Sequence, residues 1–262
     1  MSVDMISRPL DRLRQHAAEW GIAIETTQET PGSIIAYGTC DRTNVVLKLV
    51  KHEGDEWYSG QVVRAFEGRG VARVFEHTGG ALLLERLRPG YSLVGLCEHG
   101  DDDAATDILA SVIAAMTPGA PPTNCATLAG WVASFDRYLA ANDQAIPRTV
   151  VSRARDMFAE LCASQNKTRL LHGDLQHSNV LFDDEHGWIA IDPKGVIGEL
   201  EYEVGAFLRN PQECPLLVSD PLVFDRRVRQ VTTALHLDRS RVLAWAFAQS
   251  VLSAIWDWED RM

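Results

Sequence analysis

The first ninety residues combine one amphipathic stretch with several short apolar runs. Residues 8–20 carry apolar side chains at helical spacing and are followed by Gly21, a pattern that predicts a helix. Apolar runs separated by turn residues such as Pro31-Gly32 then predict five strands, and a helix is predicted over residues 53–66. The five strands are predicted at residues 22–25, 33–37, 45–50, 71–76 and 81–87.

Helical periodicity dominates the rest of the chain. The predicted helices lie near residues 104–116, 128–142, 151–164, 221–235 and 240–257. A short connection at Arg88-Pro89-Gly90 predicts a strand-rich lobe over residues 1–87 and a larger helical lobe over residues 88–262. Strands and helices segregated in this way indicate the α+β class, and a cleft between two lobes is a frequent place for a small-molecule site.

The charge balance narrows the classes of partner. The 262 residues include 25 Lys and Arg against 36 Asp and Glu, so the formal net charge is −11. The hydrophobic share of 46% excludes a disordered or collagen-like chain. An acidic chain repels the phosphates of duplex nucleic acid. Such a chain could bind nucleic acid only through a local basic groove. We therefore expect no nucleic-acid partner.

Nothing in the sequence predicts export or a membrane anchor. Residues 1–13 mix Asp and Arg with no long apolar run, and no stretch approaches the roughly 18 apolar residues of a membrane span. The five cysteines are scattered and form neither a close pair nor a zinc-binding spacing, which is typical of reduced thiols. We therefore expect a cytoplasmic protein with no membrane partner.

One segment concentrates polar residues around two apolar runs. Residues 180–182 and 188–191 flank a glycine-containing turn, a pattern that predicts a β-hairpin. Asn179 precedes the first strand and Asp192 follows the second, so the hairpin would bring their side chains together. A carboxylate and an amide oxygen beside bound phosphates suit Mg²⁺. Asp174 lies upstream on the same loop, within reach of a substrate hydroxyl next to this metal site.

This segment resembles the catalytic and metal-binding loops of the protein-kinase-like antibiotic phosphotransferases. The residues concerned are the His-Gly-Asp run at 172–174, Asn179 and Asp192, which match the related protein-kinase motifs H-R-D-x-x-x-x-N and D-F-G. Gly173 replaces the arginine of the first motif, and Asp-Pro replaces Asp-Phe of the second. Both differences indicate a kinase that acts on small molecules rather than on proteins.

The residues that follow limit the resemblance to one family of these phosphotransferases. The sequence is similar to the family of aminoglycoside 6-phosphotransferase (streptomycin 6-kinase) and hydroxyurea phosphotransferase through Gly187-Trp188-Ile189-Ala190-Ile191-Asp192-Pro193-Lys194-Gly195, Gly198-Glu199, Glu203-Val204-Gly205-Ala206 and Asn210-Pro211. The likeness covers most of the chain, and residues 170–211 carry its specific part. It implies a two-lobed protein-kinase-like fold, with a small strand-rich N-lobe and a larger helical C-lobe.

The resemblance also implies a role for each site residue. Asp174 would orient the acceptor hydroxyl and accept its proton, while Asn179 and Asp192 would hold Mg²⁺. Lys48, which strand alternation places on the cleft face, would bind phosphates of ATP or GTP.

Other residues would complete the nucleotide site. Glu56 is predicted to pair with Lys48, and Glu53 and Asp55 are the alternatives. Turn and main-chain contacts to the nucleotide are predicted at four further positions, which are Gly32, Ser33, Glu85 and Leu87. An ordinary hairpin turn is the alternative for the first two of these positions.

The acceptor pocket is predicted from the chemistry of an aminoglycoside, which is polycationic and needs carboxylates and aromatic faces. The candidate acceptor residues are Glu199, Glu201, Trp256 and Asp257. Lys194 either contacts phosphate or pairs with Glu199. Glu203 and His172 are interpreted as structural supports of the catalytic loop, and the run Asp101-Asp102-Asp103 as a solvated helix start.

Together these features predict a Mg²⁺-dependent kinase that phosphorylates a hydroxyl of an aminoglycoside antibiotic such as streptomycin and so gives resistance. One alternative is a kinase of another hydroxylated metabolite, such as a sugar, an amino alcohol or homoserine. Another is a nucleotide-binding pseudokinase, against which the complete set of Lys48, Asp174, Asn179 and Asp192 argues. The sequence does not distinguish ATP from GTP and leaves the oligomeric state open.

Overall fold

The N-terminal part of the molecule is a five-stranded antiparallel sheet with one helix packed on it. The computed structural model describes residues 8–141 and 143–261, so residues 1–7 and the predicted helix end at Asn142 lie outside the described residues. Helix α1 (Pro9–Glu19) precedes the sheet, and a 3-10 turn (Asp55–Tyr58) and helix α2 (Ser59–Phe66) interrupt it. The strands are β1 (Ala23–Glu29), β2 (Ser33–Cys40), β3 (Thr43–Val50), β4 (Val74–Thr78) and β5 (Ala81–Glu85), in the order β1-β2-β3-β5-β4.

Alternation along β3 separates the two faces of this sheet. Val45, Leu47 and Leu49 are buried together with Leu13 of α1 in one apolar cluster. Lys48 stands between them in the sequence and therefore points to the opposite face, because successive strand residues alternate. The core of the sheet thus lies on its α1 side, and the lysine faces the rest of the molecule.

The C-terminal part is mainly helical. Its helices are α3 (Val94–Glu98), α4 (Asp102–Ala115), α5 (Leu128–Ala141), α6 (Arg148–Ala163), α7 (Leu200–Leu208), α8 (Pro215–Val218), α9 (Pro221–Leu235) and α10 (Arg239–Glu259). Every helix within the described ranges is too short or too polar to span a bilayer. Segregation of strands and helices into two parts confirms the α+β class.

Short strands between these helices form two small sheets. The strands are β6 (Pro89–Ser92), β7 (Ala126–Thr127), β8 (Arg169–Leu171), β9 (Val180–Asp183), β10 (Gly187–Ala190) and β11 (Val196–Gly198), in the orders β10-β9-β6 and β7-β11-β8. The predicted hairpin is confirmed as β9-β10, in which Val180 pairs with Ala190. The Asp183 carboxylate closes its turn by accepting the N–H groups of Glu185 and His186, each at 3.0 Å.

The largest apolar cluster joins the two parts. Val62 and Phe66 of α2 are buried in the same cluster as Leu109 of α4 and Phe207 of α7. A second cluster, built from α5, α6 and α10, surrounds the fully buried Trp245. Helix α2 is therefore buried against the helical part as well as against its own sheet.

The helix predicted over residues 53–66 begins later than its apolar pattern suggests. Asp55–Tyr58 form a 3-10 turn instead of the first turn of this helix, because Trp57 does not pack with the apolar face of α2. Its indole lies under the turn at Gly79 and Gly80, where an added Cβ would approach the ring to 2.7 and 2.5 Å. The Arg12 guanidinium lies 4.5 Å from the centroid of the Trp57 ring.

The strand predicted over residues 71–76 also begins later, at Val74. Val71 instead forms a parallel bridge with Ala190 at the end of β10, and the N–H of Ala72 donates to the Ala190 oxygen at 2.9 Å. These residues leave the N-terminal sheet to join the hairpin, so they connect the two parts beside the cleft.

Candidate active site

The loop of residues 172–179 lies against the ends of the β9-β10 hairpin. The backbone oxygen of Asn179 accepts a hydrogen bond of 2.8 Å from the N–H of Ile191, directly before Asp192. The Asn179 side-chain N–H donates to the backbone oxygen of Asp174 at 2.9 Å. This bond fixes the amide and leaves its side-chain oxygen as a ligand atom. The hairpin therefore gathers the two predicted metal ligands and the predicted base at one end.

His172 fastens this loop to the strand end. The ring is fully buried, with Nε2 at 2.8 Å from the Ile191 oxygen and Nδ1 at 3.3 Å from the N–H of Asp174. These partners assign the neutral tautomer that carries its proton on Nε2. Burial lowers the pKa of His172 to about 4, which keeps the ring neutral near pH 7. His172 therefore has the structural role expected of it.

Glu203 supports the same loop from α7. Its Oε2 accepts the N–H of His172 at 2.7 Å, and its Oε1 accepts the N–H of Gly173 at 2.9 Å. The side chain is buried, and burial raises the pKa of Glu203 to about 7, although both N–H groups act in the opposite direction. The carboxylate satisfies two donors of the loop that water does not reach, in agreement with the structural role predicted for it.

The Lys48 ammonium bridges two carboxylates across the cleft. Nζ lies 2.5 Å from Oδ1 of Asp192 and 3.2 Å from Oε2 of Glu56, and the lysine side chain is 7% exposed. Burial lowers the pKa of Lys48, but the two carboxylates outweigh that effect and raise it. A fixed positive charge therefore stands at the mouth of the hairpin. Of the predicted alternatives for its partner, Glu56 makes the contact.

A cavity of about 800 Å³, here called the interlobe cavity, separates the sheet from the hairpin. Residues predicted to bind nucleotide or metal line it together, namely Gly32, Ser33, Lys48, Glu56, Glu85, Leu87 and Asp192. Much of the remaining wall is apolar and includes Val46, Leu84 and Ile191. An apolar slot with a cation at one end suits a planar base that carries phosphates.

The main-chain donors of the interlobe cavity differ in availability. The Ser33 N–H already donates to Oγ1 of Thr30 at 3.0 Å, so it is not free for a phosphate. The Glu85 N–H likewise donates to the backbone oxygen of Arg73 at 3.0 Å. The Leu87 N–H has no hydrogen-bond partner among the described residues and remains available to a ligand.

A second cavity of about 400 Å³, here called the inner cavity, adjoins Asp174 and is lined mainly by polar residues. Ser178 lines both this cavity and the interlobe cavity, so the two adjoin at the 172–179 loop. The Arg209 guanidinium lies 4.0 Å from the Asp174 carboxylate. Burial raises the pKa of Asp174, and Lys194 and Arg209 oppose that rise without cancelling it. A carboxylate in this position can accept a proton from a hydroxyl in the inner cavity.

A third cavity of about 830 Å³, here called the outer cavity, extends past the end of α10. Lys194, Trp256 and Asp260 line both the inner and the outer cavity. The Lys194 Nζ lies 4.0 Å from the centroid of a Trp256 ring, so this pair separates the two spaces. The inner and outer cavities thus adjoin at the Lys194–Trp256 contact.

The sequence of the chain matches a known protein family. The model of the family described as aminoglycoside/hydroxyurea antibiotic resistance kinase matches residues 25–261. The chain belongs to this family. The kinase is 32% identical to streptomycin 3''-kinase of Klebsiella pneumoniae over 208 residues, which cover 77% of this chain and 76% of the relative. It is 29% identical to streptomycin 6-kinase of Streptomyces glaucescens over 227 residues, which cover 84% of this chain and 73% of the relative.

A solved structure agrees with the expected fold of this kinase. A thermostable mutant of aminoglycoside phosphotransferase APH(4)-Ia, solved with ADP and hygromycin B, superimposes with a TM-score of 0.58 at 17% identity. The superposition covers 93% of this chain and 97% of that chain. The two-lobed protein-kinase-like fold is thereby confirmed. Family membership makes the chain a small-molecule phosphotransferase with an alcohol acceptor.

Two of the acceptor residues predicted for this kinase lie elsewhere. Glu199 is 3% exposed, and its carboxylate is bonded to the Arg241 guanidinium and the Trp245 indole N–H, so it is part of the core. Glu201 lies on α7, outside the lining of the three cavities. Trp256 and Asp257 do line the inner cavity. The structure also excludes the predicted Lys194–Glu199 pair, because the Glu199 carboxylate is bonded to Arg241 instead.

Arg209 is a residue of the cleft that the sequence did not indicate. It follows α7 directly, and its guanidinium is held by a 3.1 Å hydrogen bond to Oε1 of Gln249 on α10. The neighbouring Asn210-Pro211 motif lies in the segment that resembles the family, but it does not show which way the arginine points. The contact with Asp174 arises only when α7 and α10 pack together.

A cluster of metal-ligating residues elsewhere is better explained as an ion pair. Cys97, Asp102 and His177 offer ligand atoms within 4.8 Å of one another. However, Asp102 is 3% exposed and bonded to the guanidinium groups of Arg226 and Arg227, both at 2.5 Å. Two guanidinium charges at the same carboxylate disfavour a metal cation there. The predicted solvated helix start at Asp102 is therefore wrong, because the acid is buried against α9.

Proposed function

We propose that this kinase transfers the γ-phosphoryl group of ATP or GTP to a hydroxyl of an aminoglycoside antibiotic such as streptomycin, and thereby gives resistance. The observation that carries the proposal is the placement of two opposed sites around one loop. Lys48 and Asp192 face the interlobe cavity, Asp174 faces the inner cavity, and Ser178 lines both. A phosphoryl donor and a hydroxyl acceptor bound in these cavities would meet at the loop.

The residues of the chain act mainly by position and charge. Phosphoryl transfer passes through a loose transition state, so orientation of the two substrates and neutralisation of charge dominate catalysis. Asp174 orients the acceptor hydroxyl and accepts its proton as the hydroxyl oxygen bonds to phosphorus. Lys48, kept in place by Glu56, neutralises phosphate oxygens of the nucleotide. Glu203 and His172 keep the loop, and with it Asp174, in register with the hairpin.

The donor set at the hairpin end fits Mg²⁺. Asn179 offers a side-chain oxygen, and the Asp192 carboxylate is 48% exposed toward the cleft, so both can act as oxygen ligands while waters complete the shell. When bound, the ion would neutralise charge on the phosphates of the nucleotide. Lys48 contacts Asp192 at the same point, which fits a site where several phosphate oxygens and cations converge.

A second acceptor class is favoured by the small volume of the inner cavity. Lys194 and Arg209 stand beside Asp174 in a space of about 400 Å³. A small hydroxylated metabolite, such as a sugar, an amino alcohol or homoserine, would fit in this volume, which carboxylates such as Asp257 and Asp260 line together with the two cations. This alternative keeps the same donor site and the same base.

The test is direct detection of the product. Purified protein is incubated with Mg²⁺ and ATP, or with Mg²⁺ and GTP, together with streptomycin, hygromycin B, hydroxyurea, choline and homoserine in separate reactions. Mass analysis should find streptomycin carrying one added phosphoryl group, formed by wild type and not by Asp174→Asn. Removal of Mg²⁺ by a chelator should stop the reaction. Phosphorylation of homoserine or choline alone would establish the second acceptor class instead.

A further inference from the structure

The Lys194 side chain ends on tryptophan faces rather than on an acid. Its Nζ lies 4.0 Å from the centroid of Trp256 and 5.9 Å from that of Trp131. The two rings meet edge to face, with centroids 5.0 Å apart. No carboxylate among the described side chains lies within 4.0 Å of this ammonium. A cation held only by aromatic faces marks a cation-binding surface, because the ring quadrupole attracts positive charge.

This surface lies where the cleft is divided. Lys194 and Trp256 line both the inner cavity, which ends at Asp174, and the outer cavity, which contains Trp131 and Glu259. Asp260 lines both spaces as well. An acceptor with several rings is too large for the inner cavity of about 400 Å³ and must extend past the Lys194–Trp256 contact to reach the outer one.

We infer that Lys194 determines acceptor specificity, because its ammonium occupies the tryptophan surface on which a cationic group of a large acceptor binds. The inference rests on the proposed function, since it assumes an acceptor bound at Asp174. Two cations cannot share one aromatic face without strong repulsion. The flexible four-carbon stem lets the lysine withdraw, so a guanidinium or ammonium group of the acceptor replaces it on Trp256.

The neighbouring charges favour this exchange. Asp257 and Asp260 line the inner cavity close to Trp256, and Glu259 lines the outer cavity. These carboxylates stabilise the charge of an incoming acceptor once the lysine has moved. A small neutral acceptor remains in the inner cavity and leaves Lys194 where it is. Lys194 therefore weakens the binding of cationic acceptors and has no such effect on neutral ones.

The experiment removes the charge and keeps the length of the side chain. Lys194→Met leaves the tryptophan faces uncovered by a cation, and Lys194→Arg is the matched control that restores one. KM is measured for streptomycin, which carries guanidinium groups, and for neutral hydroxyurea, at saturating ATP and Mg²⁺. Relative to hydroxyurea, KM for streptomycin should fall roughly 2- to 5-fold in Lys194→Met, the factor that a partly exposed cation–π contact is worth. In Lys194→Arg the ratio should stay at its wild-type value.

Calorimetric titration separates this inference from the proposed function. Streptomycin is titrated into each protein loaded with a non-hydrolysable ATP analogue, and Kd should decrease in Lys194→Met by the same factor. If wild type makes no phosphorylated product, the proposed function fails while the titration still tests the tryptophan surface. An unchanged or raised Kd or relative KM for streptomycin in Lys194→Met would overturn the inference. Lys194→Gln takes the place of Lys194→Met if circular dichroism shows that the latter is unfolded.

Discussion

Replacement of Glu203 by alanine should both destabilise this kinase and disturb its catalytic loop. The change removes the acceptors of two buried N–H groups, those of His172 and Gly173. Each buried donor left without a partner costs about 1–3 kcal/mol, so the free energy of unfolding should fall by roughly 2–6 kcal/mol. Glu203→Gln keeps the volume and one oxygen acceptor, and should cost about half as much.

The loss should depend on pH in a defined direction. Burial raises the pKa of Glu203 from 4.5 to about 7, so the folded protein holds a proton there that the unfolded chain releases. The stability that Glu203 contributes is fully present below pH 4.5 and is lost as pH rises through 7. The difference between wild type and Glu203→Ala should therefore shrink by on the order of 3 kcal/mol between pH 4.5 and pH 8.

Urea unfolding at pH 5 and pH 8 measures both effects, with kcat recorded under the same conditions. Glu201→Ala is the matched control, because this half-buried acid lies on the same helix outside the cleft and should change stability by less than about 0.5 kcal/mol. A Glu203→Ala variant within about 0.5 kcal/mol of wild type at pH 5 would refute the bracing role. A difference that grows with pH would refute the buried, proton-binding state of the carboxyl group.

Three other residues give independent predictions. Asp174→Asn should lower kcat by about 10²-fold or more while a nucleotide titration is unchanged, because it removes the base but no phosphate contact. In wild type the acid limb of the kcat/KM profile should lie above the ordinary aspartate range, since the pKa of Asp174 is raised and the base acts only when ionised. Lys48→Met should raise the nucleotide KM by about 10- to 100-fold, because a charged donor to phosphate is lost. Asp102→Ala should lower the free energy of unfolding by about 3–5 kcal/mol in urea, because Arg227 stays buried without its carboxylate.

Contrary results would be informative for each of these. An active Asp174→Asn variant, or an acid limb at the ordinary aspartate pKa, would assign the proton to another acceptor. An unchanged nucleotide KM in Lys48→Met would place the phosphates away from the interlobe cavity. A loss below about 1 kcal/mol in Asp102→Ala would mean that water solvates the Arg227 guanidinium in the variant.

The parts of the site that the sequence predicts well depend on local patterns. Two apolar runs around a short turn fix the hairpin, and the hairpin fixes the neighbourhood of Asn179 and Asp192. Alternation along one strand is enough to direct Lys48 into the cleft. In each case the relevant geometry is set within about a dozen residues, where strand period and turn chemistry dominate.

The parts that the sequence misses depend on distant partners. Glu199 follows the metal-binding loop like a cleft residue, but Arg241 and Trp245 of α10 bury it. Asp102 looks like a solvated helix start until Arg227 of α9 packs on it. No local pattern indicates which helix covers which acid, because that choice is made when α10 packs on α7 and α9 packs on α4.

The shared core has a consequence for how this enzyme is controlled. In protein kinases, activity is switched by displacing the helix that supplies the glutamate partner of the lysine. Here, moving α2 would bring Val62, Val63 and Phe66 into water, at about 1.5–3 kcal/mol for each side chain. The turn that carries Glu56 runs straight into this anchored helix. Displacing α2 would therefore be costly, and we expect the Lys48–Glu56 ion pair to form without a separate activation step.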